Sequence, residues 1–304
     1  MKKFLIFGLI LALLLAGCAR TPDPIPMAAE GPTTVEGKVA FTLADCYTAK
    51  RVTPPVLSGD YPVLMAPEGT TFLVVVLDTE NLTTFGMTPE SLMTLDITIG
   101  EQVYGPNCLV QTENGTNLEA GATIPAGKTA RVYYLFTPEL NGEPITLTAT
   151  VAGQPYTREI TPSDTPKLER SALGKTLEGE NLTLTLESFS AVQKLKPSSP
   201  APLHTFFDAG SGKTHLVLKT TVTNMGPVPV EIGKIAGVTV GTTACSVVLE
   251  SEDGSDLSDT GTVDPGQSRT VYFAAVFGAD QAGKKASITV SLPFSTHRLT
   301  ATAN

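Results

Sequence analysis

Short apolar and β-branched segments recur along most of the chain, each bounded by glycine, proline, asparagine or aspartate. Lys38–Ala44, Thr71–Asp78, Thr129–Phe136, Ile145–Val151, Leu182–Glu187, His215–Thr223, Ser268–Val276 and Ala286–Leu292 read as strands, because Val, Thr, Tyr and Leu suit a pleated, half-buried surface. Within His215–Thr223 the alternation places Leu216, Leu218, Thr220 and Val222 on one face and Val217, Lys219, Thr221 and Thr223 on the other, which predicts one core face and one wetter face. Turn chemistry separates the strands at Asn114-Gly115, Asn141-Gly142, Asp253-Gly254 and Asp264-Pro265-Gly266. An irregular or helical insertion is expected at Thr88–Leu95, in the first half only.

The pattern occurs twice. At one constant offset Phe41-Thr42-Leu43 falls on Leu184-Thr185-Leu186, Pro54 on Pro197, Gly69 on Gly212, Leu73 and Val75 on Leu216 and Leu218, and Asn81 on Asn224. At a second, slightly shorter offset Gly127 falls on Gly266 and Val132-Tyr133-Tyr134 on Val271-Tyr272-Phe273, as a loop deletion between the two blocks would leave them. Such self-similarity marks a tandem duplication, with units over 35–160 and 176–304 and a linker over 161–175. About seven strands per unit predict an all-β fold, two tandem Ig-like antiparallel β-sandwiches, rather than barrels.

Ahead of the units, Lys2 and Lys3 precede an apolar run from Phe4 to Gly17 that is too short to span a bilayer as a helix. It reads as a signal peptide over 1–17. Its end, Leu15-Ala16-Gly17-Cys18, resembles the lipobox of bacterial lipoproteins. That resemblance implies cleavage before Cys18 and diacylglycerol on its sulfur, hence a protein anchored through lipid to the extracytoplasmic face of the cell membrane. Two acyl chains suffice for stable anchoring. Residues 18–34, with Pro22, Pro24, Pro26 and Pro32, are expected to form a tether, which in extended polyproline form at about 3.1 Å per residue could reach about 50 Å.

The Gly-led apolar strand ending in Asn (Gly69 to Asn81, Gly212 to Asn224), followed by Pro-x-Gly or Pro-Gly before an aromatic strand (Pro125 to Phe136, Pro265 to Phe277), is similar to an Ig-like family of unknown function in lipoproteins of Gram-positive bacteria. The fold of that family is like that of the mycobacterial immunoprotective extracellular antigen. The resemblance implies a fold and supplies no catalytic residues.

Composition narrows function further. The 304 residues carry 30 acidic and 21 basic side chains, a net charge of −9; without residues 1–17 the balance is 30 to 19, or −11. No Lys/Arg cluster offers the concentrated positive charge that nucleic acid requires. Gly210-Ser211-Gly212-Lys213-Thr214 matches the end of a phosphate-binding loop, but Phe207 stands where its first glycine belongs and a strand follows instead of a helix, so it reads as a strand-entry turn. His204, Asp208 and His215 offer metal-ligand types on a loop and a strand start. Glu252, Asp253, Asp256 and Asp259 could gather oxygens for calcium, or form a solvated acidic hairpin tip, since the spacing of a calcium loop is missing. Of the remaining cysteines, Cys46 and Cys108 could close a disulfide across one unit, or Cys46, Cys108 and Cys245 could all be core thiols. No nucleophile–base pattern is present and no cofactor is expected. The sequence thus predicts a non-enzymatic binding or interaction module for a cell-envelope or host macromolecule. The alternatives are capture of a small solute or ion such as calcium, and a spacer with no ligand.

Overall fold

A computed structural model describes residues 22–57, 62–179 and 181–304. Signal peptide and Cys18 lie outside the described residues. The first unit contains β1 (Ile25–Pro26), β2 (Thr33–Val35), β3 (Val39–Ala49), β4 (Arg51–Val52), β5 (Leu64–Met65), β6 (Phe72–Asn81), helix α1 (Pro89–Leu92), β7 (Thr94–Ile99), β8 (Gln102–Tyr104), β9 (Asn107–Gln111), β10 (Leu118–Glu119), β11 (Thr129–Phe136), β12 (Ile145–Val151) and β13 (Gln154–Ile160). The second repeats the series as β14 (Glu169–Arg170), β15 (Thr176–Glu178), β16 (Leu182–Val192), β17 (Lys194–Leu195), β18 (Phe207–Asp208), β19 (Lys213–Asn224), β20 (Gly237–Val240), β21 (Thr243–Ala244), β22 (Ser246–Glu250), β23 (Leu257–Ser258), β24 (Ser268–Gly278), β25 (Lys285–Leu292) and β26 (Ser295–Thr302).

Each unit is a β-sandwich. In the first, the sheet β1-β13-β12-β7-β8 faces the sheet β10-β9-β11-β6-β3-β2; in the second, β14-β26-β25-β20-β21 faces β15-β16-β19-β24-β22-β23. Phe41, Leu77, Ile97, Tyr134 and Leu147 fill the first interior, and Leu184, Leu218, Val240, Phe273 and Ile288 the second. The fold class is therefore as expected, but the strand count is higher than seven, because two- and three-residue strands at edges and flaps leave almost no pattern in the sequence.

Two of these short pairs explain why β6 is apolar on both faces. β4 and β5, and their counterparts β17 and β18, form a flap over the outer face of the large sheet. Under the first flap lie Tyr47, Val52, Val74, Val76, Tyr133 and Leu135; under the second lie Leu195, Val217, Val248 and Tyr272. The expected wetter face of β19 is accordingly buried at His215 and Val217 and solvated only from Lys219 onward. Both units also carry a bulge at the same point, Ala44 in β3 and Glu187 in β16, so those strands run longer than the simple alternation predicts.

His215 occupies the place of Phe72 in the repeat, and neither of its buried ring nitrogens has a hydrogen-bond partner. Burial pulls its pKa down, opposed only in part by the nearby Phe207 carbonyl and Asp208 carboxylate. A depressed folded-state pKa means that the unfolded chain takes up the proton first, so the second unit loses stability as pH falls below about 6.5. His215→Phe is expected to stabilise that unit by on the order of 1 kcal/mol and to flatten this acid limb in urea unfolding at several pH values; an unchanged limb would show that the loss arises elsewhere.

Two expectations are corrected. The tether is much shorter than 18–34, because Ile25-Pro26 pairs in parallel with Tyr156-Thr157, the Met27 N–H donates to the Thr157 carbonyl at 2.8 Å, and Thr33–Val35 pairs with Val39–Phe41. Proline is tolerated there because β1 is an edge strand. The linker over 161–175 lies against both units: the Ser163 N–H donates to the Cys46 carbonyl at 3.0 Å, the Lys167 N–H to Asp45 Oδ2 at 2.7 Å, and Glu169-Arg170 pairs with His297-Arg298. Finally, α1, capped by Thr88 with Pro89 in its first turn, is matched at the equivalent place in the second unit by a 3-10 turn, Ile232–Lys234. The insertion is part of both units.

Candidate functional site

A concave surface lined by hydrogen-bonding groups lies where the two units meet. Arg131 on β11 sits at its base: Nε and Nη2 donate to the two Asp78 oxygens at 2.8 and 2.9 Å, while Nη1 donates to the Phe294 carbonyl of the second unit at 2.7 Å. The guanidinium also lies 5.4 Å from the centre of the Phe294 ring. The Gln111 amide donates to the Pro293 carbonyl at 2.5 Å. The turn between β25 and β26 is thus gripped by two side chains of the first unit.

A second contact forms beside it at the flap residue Val56, which is fully buried and is held within the first unit by its N–H donating to the Gly115 carbonyl at 3.0 Å. A Cβ on Gly237 would stand 3.2 Å from the Leu57 nitrogen and 3.6 Å from Val56 Cα, so glycine lets β20 approach the flap. These residues are not shared by the repeat. Thr94 stands where Gly237 does, Thr270 where Arg131 does, Glu250 where Gln111 does and Ser199 where Val56 does.

Above this contact runs a cleft of about 880 Å3. One wall is the turn after β9, with Glu113, Asn114, Thr116 and Asn117; the other is the proline-framed loop Gly226-Pro227-Val228-Pro229, with Glu231, Lys234 and Pro293. A second depression of about 810 Å3 continues along Thr123, Lys128 and Arg131 to Phe294. Within the cleft Lys234 is ion-paired to Glu231 at 2.8 Å. The walls offer amides, hydroxyls and proline faces beside the carboxylates of Glu113, Glu119 and Glu231, a mixture of hydrogen-bonding and apolar surface.

The loop in the second wall is fixed from below. The buried Asn224 amide donates to the carbonyls of Val228 and Val263 at 2.7 and 2.8 Å, and its oxygen accepts from the Gly226 N–H at 2.8 Å. Asn81 does the same in the first unit, donating to Phe85 and Ile124 at 2.7 and 2.8 Å and accepting from the Thr83 N–H at 2.9 Å. The identity of Asn81 and Asn224 across the repeat was the signal for this device; nothing in the sequence marked Arg131, Gln111 or Gly237.

The residues singled out for metal or thiol chemistry are placed otherwise. Asp253 Oδ1 accepts from the hydroxyls of Ser251 and Ser255 at 2.7 Å and from the Ser255 N–H at 3.0 Å, and this pulls its pKa down to about 2. Asp256 accepts from the Thr205 and Leu257 N–H groups at 2.6 and 2.9 Å. Glu252 reaches Arg269 at 3.5 Å. The carboxylates therefore tie a turn to the flap instead of converging with Asp259, and among the described residues no group of three His, Cys, Asp or Glu is placed to hold a metal. Millimolar calcium is expected to leave the melting temperature unchanged; a shift abolished by Asp253→Asn would contradict this placement. His204 meets the Ala201 carbonyl through Nδ1 at 2.7 Å, Asp208 pairs with Lys194 at 3.2 Å, and His215 is buried on β19, so the three do not meet at a site. Gly210 and Gly212 take positive φ in a turn that enters β19.

The Cys46–Cys108 disulfide is not formed: Cys46, Cys108 and Cys245 are all free. Cys46 lies on β3 and Cys108 on β9, with β6 and β11 between them, so their Cα atoms are roughly 14 Å apart at about 4.8 Å per strand, twice a disulfide's span. All three pack against the interiors. Burial pushes the Cys245 thiol up to about 12, and burial together with Asp45 does the same to Cys46. Alkylation without reductant is expected to modify all three only after unfolding; a Cys46–Cys108 cross-link by mass would refute it.

No protein-family model matches the sequence and no curated protein matches it. Solved structures do: one is an uncharacterized β-sandwich protein from Clostridium difficile 630, 16% identical, aligned over 47% of this chain and 99% of its own, with a TM-score of 0.41.

Proposed function

We propose that this chain is a lipid-anchored, extracytoplasmic binding module, in which two duplicated Ig-like sandwiches hold a cell-envelope ligand in the cleft between them without transforming it. The observation that carries this reading is the asymmetry of the repeat. Gly237, Arg131, Gln111 and Val56 stand at the contact, whereas Thr94, Thr270, Glu250 and Ser199 hold the corresponding positions. A duplication kept only as a spacer would not need one specific mutual arrangement. Only residues 19–24 separate Cys18 from β1, a reach of roughly 20 Å at about 3.1 Å per residue, which also serves a spacer poorly.

The anchor and the cleft are tested separately. Cys18→Ala is expected to abolish fatty-acid labelling and release the protein from membranes; retained label would remove the anchor. A photoreactive residue in place of Asn117, on intact cells, is expected to give a discrete adduct with an envelope component. The same residue in place of Glu101, on the far turn between β7 and β8, should give none, and equal adducts from both would remove the cleft.

A further inference from the structure

We propose that the end of the molecule bearing Phe85, Met225 and Val228 rests on the lipid surface beside the anchor. This inference depends on the lipid-anchor reading of Cys18. Phe85 is 74% exposed, Met225 66% and Val228 62%. Single exposed apolar side chains are ordinary, but Phe85 and Val228 are equivalent positions of the repeat, and in each the backbone carbonyl is held by a buried asparagine amide. The fold builds the same apolar tip twice.

Both tips lie at the end where their unit's chain enters. In the small sheet of the first unit, β1 starts beside the β12–β13 turn, with the Gln154 amide donating to the Asp23 carbonyl at 2.9 Å, and β7 starts at the same end through Thr94 opposite Thr150. The Phe85 loop leads directly through α1 into β7. In the second unit β14, the β25–β26 turn and the Val228 loop leading to β20 share the corresponding end. Arg131 and Gln111 hold that turn against the first unit, and the cleft joins the Val228 loop to the turn after β9, so the two tip-bearing ends lie side by side.

The length of the leader then decides which end meets the membrane. Six residues between Cys18 and β1 extend roughly 20 Å, whereas the ten residues of β6 span roughly 33 Å from one end of the sandwich to the other. The chain is too short to let the far end turn toward the bilayer. Lys38 and Lys128 flank the Phe85 loop, since the Leu82 N–H donates to the Lys38 carbonyl at 3.1 Å and the Asn81 N–H to that of Lys128 at 3.0 Å. A net charge of −11 without residues 1–17 opposes anionic lipid, so the contact is carried by the apolar side chains and is not lost at high salt.

The chain contains no tryptophan, so single substitutions report position directly. Full-length lipidated Phe85→Trp, Val228→Trp and Leu203→Trp would be reconstituted in vesicles of phosphatidylcholine and phosphatidylglycerol carrying a brominated lipid. Leu203, 93% exposed on the second flap, is the solvent control. The expected result is blue-shifted emission and several-fold stronger quenching for Phe85→Trp and Val228→Trp than for Leu203→Trp, retained at high salt. Flotation with the vesicles but equal quenching at all three positions would overturn the apposition while leaving the anchor intact, and quenching at Phe85 alone would overturn the paired contact. Failure to float would remove the anchor and this inference with it.

Discussion

Asn81→Ala is expected to destabilise the first unit by about 3 kcal/mol, which for a unit of this size lowers its melting temperature by about 10 °C. The side chain is fully buried and makes four hydrogen bonds: two from its amide, to the Phe85 and Ile124 carbonyls at 2.7 and 2.8 Å, and two to its oxygen, from the Thr83 N–H and hydroxyl at 2.9 and 2.7 Å. Alanine removes all four and leaves a void beneath the loop. Asn81→Asp should be worse, since it turns a carboxylate oxygen toward two carbonyls that need a donor. Asn224→Ala should act in the same way on the second unit. Urea unfolding followed at each unit would check both; a loss below about 1 kcal/mol would mean that the loops hold themselves.

Gly237→Thr is expected to drive the two sandwiches apart. Threonine occupies the equivalent position 94 in the first unit, so the strand itself tolerates it, and no backbone strain is relieved by glycine here. What does not tolerate it is the flap, whose Leu57 nitrogen would lie 3.2 Å from the new Cβ. Overpacking of this kind costs about 1–3 kcal/mol, enough to loosen a contact built from Arg131, Gln111 and the flap. Small-angle scattering should show a larger and broader molecule, and unfolding followed at each unit should become less coupled between the two. An unaltered scattering profile would show that the contact accommodates a side chain.

The all-β class and the duplication were legible because alternation and turn residues are local signals, and because Asn81 and Asn224 or Tyr133 and Tyr272 kept their places in both copies. The flaps were not, since β4 and β17 are two residues long and their effect appears only as a strand, β6, that fails to alternate. The linker over 161–175 left the packing of the units open, because two-residue parallel edge pairing, as in Glu169-Arg170, carries no periodicity. The acidic loop was readable as composition but not as chemistry, because the serine hydroxyls and N–H groups that occupy Asp253 and Asp256 converge only in the folded hairpin. The cleft was illegible as a site, since its two walls come from different units, far apart along the chain, and a glycine such as Gly237 shows its purpose only where the flap of the other unit approaches it.

The most direct test of the binding role is thermal unfolding of residues 22–304 against peptidoglycan fragments, envelope glycans and peptides, beside an Asn117→Ala variant in the cleft wall. One ligand class at a hundred times its Kd should add about 2.7 kcal/mol of stability, and Asn117→Ala should lose most of that gain. A ligand whose stabilisation survives Asn117→Ala and Lys234→Ala together, or a melting temperature that no envelope component moves, would contradict the account.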